Sequence, residues 1–171
     1  MISKTIHYCW YGKNKKSKLI KDCIKSWQKH CPDFEIIEWN EKNTDLSLPF
    51  VQKAYKAKKW AFVSDYVRFK VLYEHGGIYL DTDMLVLKAL DDLLLEDCFF
   101  GAEETEIISC GIIGSKKHNK FMKECFLIYE QMDLSSDINW MKIIITRIVT
   151  DIFMVKYNFQ ESITKKAYDE I

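Results

Sequence analysis

The sequence predicts an α/β fold with a mostly parallel central sheet, and three observations carry that expectation. A short apolar strand, an amphipathic helix and a second apolar strand open the chain in that order. A long, largely apolar helix ends at His75-Gly76-Gly77 and leads straight into a further strand. Strands separated by helices, rather than by tight turns, are the pattern that builds parallel pairs through helical crossovers.

Each element has a local reason. Thr5-Ile6-His7-Tyr8-Cys9-Trp10 is an apolar and aromatic run closed by Tyr11-Gly12, and reads as a buried first strand. Leu19, Ile20, Cys23, Ile24 and Trp27 recur at helical spacing with lysines between them, giving an amphipathic helix that stops near His30-Cys31-Pro32. Phe34-Glu35-Ile36-Ile37-Glu38-Trp39 is the second strand. A polar loop over 40–48 follows, and Pro49 opens a short helix with Phe50, Ala54 and Tyr55. The spacing predicts a longer helix over about 61–74, with a glycine stop, and a strand over 78–80. An apolar run resumes at 84–87, and 98–101 and 107–113 read as further strands. Phe121, Met122, Cys125, Phe126 and Tyr129 mark another helix, and 140–155 reads as a core helix. That last stretch carries Lys142, Arg147 and Asp151, which makes it a poor membrane span. All 171 residues are expected to form one domain.

Composition narrows the function classes. Apolar residues make up 48% of the chain and charged residues 29%, a soluble globular profile. A net charge of zero argues against a nucleic-acid binder that works by neutralising phosphates. The charge is nevertheless uneven. Lys13, Lys15, Lys16, Lys18, Lys21, Lys25 and Lys29 crowd the first segment, whereas Asp91, Asp92, Glu96, Asp97, Glu103, Glu104 and Glu106 gather later. Two solvated faces of opposite sign explain this, and the basic one also suits peripheral contact with an anionic membrane surface. The six cysteines form no CxxC pair and no Cys/His set with zinc spacing, so a reducing, cytoplasmic setting without structural zinc is expected. Met1 to Ile6 lacks the apolar core of a signal peptide. Phosphate-binding loops, HExxH sites and nucleophile-elbow serines are absent, which leaves ATPase, zinc-protease and α/β-hydrolase readings without support.

The chemistry concentrates at Asp81-Thr82-Asp83. Two carboxylates one residue apart at the end of a buried strand repel each other and resist burial, so such a pair meets a cation. An all-oxygen donor set favours Mn²⁺ or Mg²⁺, and an ion held this way can bridge a diphosphate. Taken alone, the tripeptide is weak evidence and reads better as an exposed turn. Its context is Gly76-Gly77-Ile78-Tyr79-Leu80 just before it and Ser64-Asp65 with Arg68 one helix earlier. Asp65 and Arg68 share a helix face by their i, i+3 spacing, and Val63, Val67 and Val71 mark that helix as largely buried. A sugar hydroxyl and a phosphate would serve as their partners. Tyr79 alternates with Ile78 and Leu80 and so points to the other face, as a packing or a site residue. Trp10 ends the first strand, either as core or as a platform for a base. His7 reads as a hydrogen-bonded core histidine. Ser109-Cys110-Gly111-Ile112-Ile113-Gly114 reads as a strand approached closely by other backbone.

These motifs resemble glycosyltransferase family 32, the sugar-binding region containing the DxD motif. That group holds capsular-polysaccharide and lipopolysaccharide transferases, mannosyltransferases and, more distantly, glucosylating toxins. The matching stretches are 6–12, 23–27, 34–39 and above all 61–84, where S-D-x-x-R, G-G-x-Y and D-x-D occur together. The resemblance implies a GT-A-type, Rossmann-like nucleotide-sugar-binding fold and a metal-dependent transferase that retains anomeric configuration. It implies that Trp10 stacks on the base and that Asp65 and Arg68 contact the donor sugar and its phosphate. Tyr79 would line the diphosphate, Asp81 would touch hydroxyls, and Asp83 would be the direct metal ligand with Asp81 beside it. The donor would be a UDP-sugar first and a GDP-sugar second. The acceptor would be a polysaccharide, lipid-linked or other carbohydrate, met in the cytoplasm or at the inner face of a membrane. Family members continue into a C-terminal segment rich in His and Trp that closes over the donor, and 157–171 shows nothing of that kind. Two alternatives stand beside this reading. One is a non-catalytic sugar-nucleotide-binding module. The other is a haloacid dehalogenase-type phosphatase with Asp81 as nucleophile, which fits less well because Leu85 stands where that class places Thr or Val.

Overall fold

The strand–helix–strand opening folds as its pattern requires. β1 (Thr5–Cys9) and β2 (Glu35–Trp39) pair in parallel across α1 (Lys18–His30). The computed structural model describes residues 1–104, 107–134 and 138–156; Glu106 and the stretch 157–171 lie outside them. Ser17 caps α1 by accepting a hydrogen bond from the Ile20 amide, and the helix buries Cys23 and Trp27, one turn apart.

Two helices then cross back. α2 (Pro49–Lys56) has proline in its first turn, where a missing N–H costs nothing. α3 (Trp60–His75) buries Val63, Val67 and Val71 and ends at Gly76, with φ of 70°. It feeds β3 (Gly77–Leu80), which pairs in parallel with β1. β4 (Cys98–Glu104) and β5 (Ile107–Ser115) form an antiparallel pair, and β5 runs antiparallel to β3. The five-stranded sheet therefore has the order β2-β1-β3-β5-β4, with a parallel core of β2, β1 and β3. α4 (Lys120–Glu130) packs on α3, and α5 (Ile145–Lys156) packs on β5.

The sheet separates two cores. Ile6, Tyr8, Ile78 and Leu80 face α1 and meet Trp27, Val86, Leu90 and Leu94. Tyr79 and Ile113 face α3 and α4 and meet Val67, Leu72 and Phe126. Tyr79 thus points opposite to Ile78 and Leu80, as strand alternation demands.

One expectation is corrected. The stretch 140–155 is not one core helix. Trp140–Ile143 is a short 3-10 turn capped by the Asn139 side chain, and Ile144 is extended with ψ of 127°. The isoleucine run 143–145 is β-branched and stiff, which disfavours a continuous helix there. Among the described side chains of α5, Ile145 and Val149 are buried, while Met154 and Val155 are exposed.

Two local features invite tests. Gly77 has φ of 107°, and a Cβ there would sit 2.6 Å from the Thr5 carbonyl oxygen. Gly77→Ala is expected to cost roughly 2 kcal/mol or more, through the forbidden backbone conformation and the clash with β1. A lowered urea midpoint checks this.

His7 is fully buried. Its Nδ1 accepts from Trp39 Nε1 at 3.1 Å, so Nε2 carries the proton and donates to the Gly76 carbonyl at 2.8 Å. Burial lowers its pKa from 6.5 to about 4. The folded state holds the neutral ring, so this contribution is present above pH 6.5 and lost as pH falls towards 4. The loss is roughly 3 kcal/mol. His7→Gln should flatten the stability–pH curve in that window, as read by denaturant midpoints.

Candidate active site

β3, the central strand, delivers Asp81 at its C-terminal end and a turn pins it there. The Asp81 amide donates to the Gly111 carbonyl of β5 at 2.8 Å, and the Met84 amide donates back to the Asp81 carbonyl at 3.0 Å. Asp81 is half-buried and Asp83 is exposed. Behind them, α3 presents Asp65 and Arg68, both buried.

The arginine is the hub. Its Nη2 donates to Asp65 Oδ1 at 3.0 Å and lies 3.3 Å from Asp81 Oδ1. Its Nη1 donates to the Cys110 carbonyl at 2.5 Å and reaches Asp81 Oδ2 at 3.5 Å. The guanidinium carbon stands 4.5 Å from the centre of the Tyr79 ring, a cation–π contact in a dry environment. The Tyr79 hydroxyl donates to Asp81 Oδ1 at 3.3 Å. Burial pushes the Tyr79 phenol well above its ordinary pKa, so it stays a donor. Burial likewise pushes the Asp65 carboxyl up; Arg68 opposes this and Asp81 adds to it. Two carboxylates thus converge on one cation, and Arg68 Nε and the Tyr129 hydroxyl remain buried without a partner among the described residues.

Two cavities share this hub. One, of about 450 Å³, is lined by Trp10, Asn14, Ser64, Arg68, Tyr79, Asp81 and Asp83. The other, of about 590 Å³, is lined by Phe62, Asp65, Arg68, Asp81, Met84, Ser109 and Gly111, with 144–146 closing one side. Ala61, Arg68 and Asp81 stand in both walls. All six residues singled out in the sequence therefore line one or both hollows. A larger hollow of about 650 Å³, between 43–48 and α3, contains none of them. There Lys70 already pairs with Glu74 and Glu130, so its charges are largely satisfied internally.

Sequence reasoning missed some of the lining. The Cys110 carbonyl is the shortest contact of Arg68, and only the loosely read strand 109–114 hinted at it. Phe62 and 144–146 carried no signal, because an apolar wall looks the same as core in sequence.

The donor set suits a hard divalent ion. Asp83 makes no hydrogen bond or ion pair among the described residues, whereas both oxygens of Asp81 already face Arg68. Mg²⁺ and Mn²⁺ bind through one or two carboxylates, substrate phosphates and water, not through a closed protein cage. Accordingly, no group of three or more His, Cys, Asp or Glu stands close enough to form a cage among the described residues. Trp10 is half-buried at the cavity wall. Its Nε1 donates to the Asn14 carbonyl at 2.7 Å, and Lys16 Nζ lies 5.4 Å from its ring.

Residues 17–100 match the family described as "Glycosyltransferase sugar-binding region containing DXD motif". This segment is a glycosyltransferase sugar-binding region of the DXD-containing kind. Inositol phosphoceramide mannosyltransferase 3 of Schizosaccharomyces pombe is 30% identical over 132 residues, which cover 71% of this chain and 35% of that protein. Alpha-1,4-N-acetylglucosaminyltransferase of Homo sapiens is 32% identical over 69 residues, covering 40% of this chain and 19% of that protein. The chain thus spans well under half the length of these relatives. Among solved structures, PaToxG Glycosyltransferase superposes with a TM-score of 0.67 at 19% identity, over 91% of this chain and 69% of that one. That likeness establishes the shared GT-A-type fold of this glycosyltransferase region. The match to this family over 17–100 speaks against the haloacid dehalogenase-type alternative. So does Asp81, whose oxygens face Arg68 and Tyr79 rather than standing free for attack.

Proposed function

We propose that this region transfers a sugar from a nucleotide-diphosphate sugar to a carbohydrate or lipid-linked hydroxyl, with retention of configuration. A UDP-sugar is the favoured donor and a GDP-sugar the second choice. The observation that carries the reading is the Arg68 hub, shared by two cavities, with the unpaired Asp83 beside it. A nucleotide fits the hollow beside Trp10, and a sugar fits the hollow beside Asp65 and Ser109.

In this reading Trp10 stacks on the base and Arg68 meets the phosphate next to the sugar. Asp65 and Asp81 accept hydrogen bonds from sugar hydroxyls, and Tyr79 keeps Arg68 and Asp81 in place. Asp83, with Asp81 beside it, would hold Mn²⁺ or Mg²⁺, which supplies charge neutralisation for the departing diphosphate. The acceptor oxygen bonds to the anomeric carbon on the face from which the diphosphate leaves, and its proton passes to that diphosphate. A cytoplasmic setting suits the six cysteines, five of them buried and none in a CxxC pair. Among the described residues no helix is long and apolar enough to cross a membrane.

A panel of UDP- and GDP-sugars, assayed for hydrolysis with and without Mn²⁺, tests this reading. Metal-dependent release of the nucleotide from one donor is the expected result. Calorimetry showing no metal-dependent binding of any donor would overturn it.

A further inference from the structure

We propose that the ridge formed by α1 and the segment 84–88 docks on an anionic lipid surface, bringing the mouth of the Trp10–Asp83 cavity towards it. The ridge is unusual in its pattern. Segment 84–88 lies along α1, because Trp27 Nε1 donates to the Met84 carbonyl at 2.7 Å and the Val86 amide donates to Ser26 Oγ at 2.9 Å. Its side chains alternate. Val86 is buried and Met84 packs on the α1-side core, whereas Leu85 and Leu87 are 58% and 75% exposed. An extended surface segment ordinarily places polar residues at the outward positions. Here both are leucines.

A third leucine joins them. Leu19 is 64% exposed and lies on the same stripe of α1 as Ser26, two turns away, so it faces the flank along which 84–88 runs. Single exposed leucines need no explanation, but three along one ridge do. Lysines stand on the neighbouring stripe of α1 and at the end of the segment. The Lys18 and Lys25 side chains are 91% and 75% exposed, and Lys29 and Lys88 are exposed as well. Asp22 offsets part of this charge through its ion pairs with Lys18 and Lys25. Protruding apolar side chains beside a stripe of lysines match the interface of a bilayer with anionic headgroups, which charge complementarity favours over a second, net-neutral copy of this chain.

The ridge also has a position. Ser17 and Ile20, which flank Leu19, line the same cavity as Asp83, and Leu85 stands two residues beyond Asp83. A hydroxyl presented at a lipid surface would arrive at that opening. The inference rests on the glycosyl-transfer reading for its purpose, but docking is measured without a donor, so the two fail separately.

Vesicle co-sedimentation tests it, with phosphatidylcholine alone against phosphatidylcholine mixed with phosphatidylglycerol. The chain should bind only the mixed vesicles and should be released by high salt. The double substitution Leu85→Ser/Leu87→Ser should reduce binding at least tenfold with an unchanged circular dichroism spectrum. Lys25→Glu should reduce it by fivefold or more, since each lysine near such a surface contributes about fivefold. Equal binding to both vesicle types, unchanged binding by both variants, or leucine-dependent dimers in solution with no vesicle binding would each overturn the proposal.

Discussion

Replacing Asp83 with asparagine is expected to lower metal-dependent turnover on the order of 100- to 1,000-fold, the scale of losing one charge-stabilising group at a reacting centre. The substitution is nearly isosteric, and the side chain is exposed and unpaired among the described residues, so the fold should be untouched. What would be lost is the one full negative charge that the proposed metal site requires. The matching substitution Asp81→Asn should behave differently. Both Asp81 oxygens face Arg68, so neutralising it also leaves the buried cation with Asp65 as its one charged partner among the described residues, and stability should fall together with activity. Manganese titrations of donor binding by calorimetry, beside thermal melts, separate the two cases. Undiminished manganese-dependent donor affinity in folded Asp83→Asn would remove Asp83 from the metal site.

Arg68→Ala is expected to destabilise the chain by about 3–5 kcal/mol, the usual cost of breaking one side of a buried ion pair. Asp65 is then left in a dry site, and the Cys110 carbonyl loses its donor. The double substitution Asp65→Leu/Arg68→Met should recover most of this loss, because two apolar groups of similar volume need no partner. It should recover none of the donor binding. If the single and double variants share one denaturant midpoint, the loss does not come from leaving Asp65 without its partner. In Arg68→Ala molecules that remain folded, affinity for the diphosphate sugar should fall more than affinity for the bare nucleoside. Equal losses would make Arg68 a structural residue only.

Much of this arrangement was legible beforehand, for local reasons. Thr5–Cys9, Lys18–His30 and Glu35–Trp39 carry their periodicities openly, and the Gly76-Gly77 stop needs only backbone sterics. The i, i+3 spacing placed Asp65 and Arg68 on one face of α3. Alternation along β3 turned Tyr79 away from Ile78 and Leu80. The misreading of 140–155 has an equally local cause. Apolar content predicts a helix there, but the isoleucine run at 143–145 disfavours one. The 84–87 run was read simply as apolar, because exposure cannot be told from a sequence in which buried and outward positions are both hydrophobic.

The sequence by itself determined the order of elements, the faces they bury, the presence of two clusters of charged residues and the family they resemble. Only the tertiary structure decided which groups meet. It turned Arg68 towards Asp81, thirteen residues on, and towards the Cys110 carbonyl on β5. It tied His7 to Trp39 and Gly76, and it set 144–146 against Asp65 as a cavity wall. The reason is physical. Periodicity and turn chemistry act between neighbours in the chain, so they specify faces and ends. A charge buried among distant segments takes whichever partner the packed sheet and helices bring within about 3 Å of it, the range of a hydrogen bond.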